Sequence, residues 1–107
     1  MNIDASLIVT IVRKGWGSSV MQASVHAGAR GGTVLLGRGA GIHEREKIFG
    51  MSIEPEKEIV LTIVQKDQVE TILAEIVRSA QLDKAGHGMA FVVPVTAIVG
   101  VIDSMEA

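Results

Sequence analysis

The sequence predicts an α+β fold, a four-stranded antiparallel sheet with two helices packed on one face. Three observations predict it. Short β-branched runs alternate with helix-length segments as β-α-β, twice over, with similar spacing in each half. The second helical segment carries an unbroken apolar stripe at helical spacing. The strands, finally, are apolar on both sides of the pleat, where a sheet with one wet face would alternate. Together these describe a ferredoxin-like βαββαβ sandwich with a short C-terminal strand, assembled with further copies of itself.

Each element has a local cause. Ser6-Leu7-Ile8-Val9-Thr10-Ile11-Val12 is a β-branched run bounded by charge and by Gly15, which reads as a strand. After the turn Gly15-Trp16-Gly17, Ser18 or Ser19 is expected to cap a helix through about Ala27. Val20, Met21 and Val25 would share its apolar side, with Gly28 as the stop and Trp16 packed over its start. Gly31-Gly32-Thr33-Val34-Leu35-Leu36 is the second strand, ending at Gly37-Arg38-Gly39-Ala40-Gly41. The pattern from Gly41 to Ser52 is polar and aperiodic, an unusually long connection of the kind that carries function. Lys57–Val64 is the third strand. Asp67 is expected to cap the second helix with Glu70 as its capping-box partner. Val69, Ile72, Leu73, Ile76, Val77 and Ala80 form the stripe, Met89–Val93 the fourth strand, and Ala97–Ile102 a short terminal one.

Composition bounds the rest. A chain of 107 residues reads as one domain, 1–107, and folding should bury roughly 65% of its unfolded surface. The absence of cysteine removes disulfides and thiolate metal sites and fits a reducing compartment. No run of 18 apolar residues and no basic N-terminal leader occurs, so the expected location is cytoplasmic. A net charge of −2, with few aromatics, argues against a nucleic-acid partner. The 48% apolar content has to be buried somewhere. Leu7–Val12, Ile59–Val64 and Ala90–Val93 leave only Thr10 and Thr62 polar, so the second sheet face needs a partner surface, most simply another copy of the chain.

Two glycine motifs are candidates for chemistry. In Lys84-Ala85-Gly86-His87-Gly88-Met89 a helix runs through a glycine turn into a strand, and such turns aim backbone N–H groups outward at an anion. Gly86 and Gly88 have the alternative reading of permitting a tight turn and nothing more. With Gly37-Arg38-Gly39 at the end of the second strand, the chain resembles the PII family of nitrogen-regulatory signalling proteins in element order over nearly its whole length. The resemblance implies a homotrimer, non-enzymatic, with an effector such as an adenine nucleotide in the clefts between subunits. Its ligand-binding residues here would be Gly37, Arg38, Gly39, Lys84, Gly86, His87, Gly88 and Met89.

The chain also departs from that family's pattern. Met89 stands where members usually carry a lysine, Ala40 where an arginine is expected, and Gly100 and Ile102 at two phosphate-clamping arginines. Those cationic contacts are each worth ~1.5–3 kcal/mol, so tight ATP binding is not expected, while a monophosphate or cyclic nucleotide stays open. Lys57 matches a lysine that contacts 2-oxoglutarate in the family.

The 41–52 segment corresponds to the family's partner-binding loop but is shorter and has no tyrosine to modify. His43, Glu44, Arg45, Glu46 and Lys47 either contact a target enzyme or membrane transporter or are simply solvated; Ile48 and Phe49 favour contact. The three histidines, His26, His43 and His87, have no metal-ligand spacing, and no nucleophile–base arrangement is readable. Other readings are a structural or metal-tolerance trimer of the same fold and, with less behind it, a small-molecule enzyme.

Overall fold

The computed structural model describes residues 4–40, 46–48, 51–53 and 55–100, the two short stretches as backbone only. The elements are β1 (Ala5–Arg13), α1 (Gly17–His26), β2 (Thr33–Arg38), β3 (Glu46–Ile48), β4 (Met51–Ile53), β5 (Glu56–Gln65), α2 (Val69–Ala80) and β6 (Gly88–Val95). The main sheet is antiparallel in the order β2-β5-β1-β6, the ferredoxin-like βαββαβ arrangement.

Strand alternation sorts side chains onto two faces. Ile8 and Val12 of β1, with Val60 and Val64 of β5, point to the helices and are fully buried. Val20 of α1 and Ile72, Ile76 and Ala80 of α2 close this core from above. Thr10 and Thr62 also point inward; each is fully buried, and neither hydroxyl has a hydrogen-bond partner. Register places Leu7, Val9 and Ile11 of β1 beside Ile59, Leu61 and Ile63 of β5 and Met89, Phe91 and Val93 of β6. Leu35 of β2 extends this row on the face away from both helices. This open face is thus apolar from edge to edge, with Phe91 43% exposed.

Several local expectations are corrected. Neither Ser18 nor Ser19 caps α1: the helix begins two to three residues earlier, with Trp16 at the N-cap and no side-chain cap of its own. The Glu58 carboxylate on β5 supplies the cap, Oε1 accepting from Gly15 N–H at 3.0 Å and Gly17 N–H at 2.8 Å. A partner 41 residues away satisfies the first N–H of the helix and, with the same oxygen, the Gly15 N–H in the turn before it, which no local pattern encodes. Val25 is 46% exposed, and Ser24 takes the buried position, its hydroxyl donating to the Met21 carbonyl at 2.8 Å. Asp67 does not cap α2; a 3₁₀ turn over Lys66–Gln68 leads in, and Gln68 at the N-cap makes no side-chain cap bond. Gly37 and Arg38 lie inside β2, opposite Lys57 and Glu56, and do not follow it. Residues 97–100 are not a strand, and 101–102 lie outside the described residues. The 41–52 connection is not wholly irregular, because β3 and β4 pair antiparallel within it.

Candidate functional site

The α2–β6 turn is shaped by three special backbones. Gln81 ends α2 in the left-handed conformation at φ 54°, and Gly86 and Gly88 follow at φ 81° and 133°. The two glycines are glycine for different reasons. A Cβ on Gly88 would stand 2.2 Å from the Ile11 carbonyl oxygen, so β6 meets β1 only without a side chain there. A Cβ on Gly86 would meet nothing within 4 Å, so Gly86 faces open space. The turn's own hydrogen bonds run from Lys84 N–H to Gln81 and from His87 N–H to Lys84. Among the described residues, the amides of Ala85 and Gly86 donate to no backbone carbonyl, and two adjacent free donors suit one anionic group.

His87 is tied inward. Its ring meets Trp16 edge-on at 5.8 Å, and Nδ1 lies 3.4 Å from the Ala80 carbonyl at the end of α2. Lys84 is exposed, and Met89, on the open face, is 56% exposed.

At the other motif, Gly39 N–H donates to the Pro55 carbonyl at 3.2 Å, so that amide is committed to closing the strand pair. Arg38 sits opposite Glu56. Glu56 also holds Lys14 at 2.8 Å; the Lys14 hydrogen bond and charge, with a smaller contribution from Arg38, hold the Glu56 carboxyl below its ordinary value. Lys14 is correspondingly raised by its hydrogen bond to Glu56. Lys57, beside Gly37 on the open face, is only 7% exposed and has interactions of its own.

The structure does not bring the two motifs together within one chain. Gly37 and Gly88 lie at the same end of the sheet, through the rows Gly37–Lys57–Arg13 and Leu36–Glu58–Val12–Gly88. They occupy opposite edges, however, three inter-strand spacings or about 14 Å apart. His43, Glu44, Arg45 and Phe49 lie outside the described residues, and Glu46, Lys47 and Ile48 form β3. Among the described residues no cluster of His, Asp and Glu is placed to hold a metal, and no helix is long and apolar enough to cross a membrane. Two residues that sequence reasoning passed over, Glu56 and Glu58, turn out to organise this end of the sheet; both show only as acidic positions in a strand start.

The model of the nitrogen regulatory protein P-II family matches residues 5–104. Among solved structures the chain is similar to Arabidopsis thaliana PII bound to citrate, at TM-score 0.70 and 28% identity, over 98% of this chain and 86% of that one. No curated protein matches it in sequence. A family match over nearly the whole chain, on a ferredoxin-like sheet with glycine motifs at one end, leads to one conclusion: the chain belongs to the P-II family of nitrogen regulatory proteins, which are non-enzymatic signalling regulators.

Proposed function

We propose that this chain, as one domain over 1–107, is a trimeric P-II signalling protein of the cytoplasm. It binds a small anionic effector in clefts between subunits and acts on a target enzyme or transporter through the 41–52 segment. The observation that carries this reading is the placement of the two glycine motifs on opposite edges of one sheet end. Within a chain β5 and β1 stand between the two motifs, about 14 Å from edge to edge. A cyclic trimer, which sets the β2 edge of one copy against the β6 edge of the next, joins Gly37–Gly39 to a neighbour's Gly86–Gly88.

The open face supports the same assembly. Four strands across and some six residues along make a patch on the order of 400 Å² in projection, the size at which an apolar surface marks an interaction site. The family implies a homotrimer, and the PII of Arabidopsis thaliana is seen with a small carboxylate, citrate.

The site residues are Gly86, the free amides beside it, Lys84 and Arg38, with Gly37, Gly39, Gly88, His87 and Met89 shaping the walls. His43, Glu44, Arg45, Glu46, Lys47, Ile48 and Phe49 carry target engagement. Scanning the melting temperature against ATP, ADP, AMP, cyclic AMP, citrate and 2-oxoglutarate tests the effector. A ligand at 100 times its Kd adds about 2.7 kcal/mol. No shift with any of them returns the chain to the structural-trimer reading, which Gly88 favours because its packing on Ile11 needs no ligand.

A further inference from the structure

We infer that the Glu56 carboxylate offsets the positive charge at the end of β2, tuning the cleft toward ligands with a single phosphate and against nucleoside triphosphates. The inference rests on the proposed cleft and concerns which ligand charge it accepts.

The argument is one of charge. A terminal phosphate carries about −1.5 to −2 charges near neutral pH, so a triphosphate needs several charge-assisted donors to leave water. Among the described residues the exposed cations at this end of the sheet, beside β2, are Arg13, Lys14 and Arg38. Lys14 Nζ is 2.8 Å from Glu56 Oε2, and Arg38 is the direct cross-strand neighbour of Glu56, a separation at which side chains interact. Glu56 thus pairs with Lys14 and stands across the strand pair from Arg38, and as a carboxylate held by Lys14 it repels additional phosphates. Lys57, on the adjoining row, is buried and engaged. On the β6 side the exposed Met89 offers a thioether, and among the described residues Lys84, the amides of Ala85 and Gly86, and Arg13 on the neighbouring β1 are the donors there. The ion pair is on the surface, with both side chains more than half exposed. Such pairs are weak, so the carboxylate limits the ligand's charge without sealing the site.

The test is calorimetric titration of the full chain and of Glu56→Gln with AMP and with ATP, without added divalent metal. Glutamine keeps the shape and removes the charge. The expected result is tighter binding of AMP than of ATP by the natural chain, with the gap narrowed about three- to tenfold in E56Q. Tighter binding of ATP by the natural chain, an unchanged ratio in E56Q, or binding of neither nucleotide to either protein overturns the inference. Gly86→Val, titrated alongside, separates this from the cleft itself. AMP binding that survives G86V refutes the site, whereas an ATP preference abolished by G86V refutes only the charge limit.

Discussion

At the scale of single residues, the core holds two hydroxyls with nothing to bond. Thr10 and Thr62 point into the helix-covered layer, fully buried and unpartnered. A buried unsatisfied polar group costs ~1–3 kcal/mol, so Thr10→Val or Thr62→Val should raise stability by about 1 kcal/mol or more. For a chain of this size that is a rise in Tm of roughly 4–8 °C; a fall would reveal a partner for the hydroxyl. Glu58 has the opposite sign. Glu58→Ala strips the first N–H of α1 and the Gly15 turn N–H of their acceptor and should cost about 1–2 kcal/mol by denaturant unfolding; an unchanged midpoint would mean water replaces it at no cost. Gly88→Ala drives a methyl into the Ile11 carbonyl and should cost more than ~2 kcal/mol, whereas Gly86→Ala meets only open space and its positive φ. Nearly equal losses in the two variants would refute the separate roles assigned to the glycines. These residues also mark what the sequence could show. Gly86-His87-Gly88 is legible as a turn, but only the approach of β1 distinguishes the glycine that packs from the one that faces outward.

At the scale of elements, strand and helix order could be read because periodicity is a local property. The stripe on α2 puts Ile72, Ile76 and Ala80 in the core, as spacing requires, with Val77 drifting to its margin. Helix starts could not be read, since one expected cap gave way to a tertiary contact, Glu58 reaching α1 from β5, and the other to a 3₁₀ turn that leads into α2 in place of an Asp67 cap. Val25 reads as core, yet Ser24 takes the buried place, because the stripe on α1 is short and weak. The exposed pairs give a pH prediction. Glu56, through Lys14, and Glu75, through its hydrogen bond and charge to Arg78, are both held below the ordinary carboxylate value. Groups lowered on folding stabilise above their unfolded pKa and lose that contribution as pH falls through the folded one. Carboxyl resonances of Glu56 and Glu75 should therefore titrate below the usual glutamate range, and Lys14→Gln should raise the Glu56 midpoint. A Glu56 midpoint indifferent to Lys14→Gln would mean the ion pair does not persist in solution.

At the scale of the whole molecule, the excess of apolar residues is the feature that sequence and structure express most consistently. Strands that are greasy on both sides become a sheet with one face under helices and the other bare, from Leu35 across to Phe91. What the chain alone could not show is that its two glycine motifs end up on opposite edges, because strand order is a global property. The direct measurement is sedimentation equilibrium of the natural chain beside Phe91→Lys, which sets a charge in the centre of β6 on the bare face. The account predicts three times the 11.3 kDa chain mass for the natural protein and dissociation in the variant. A natural protein that stays at the mass of one chain at high concentration would contradict it, and with it the cleft between subunits.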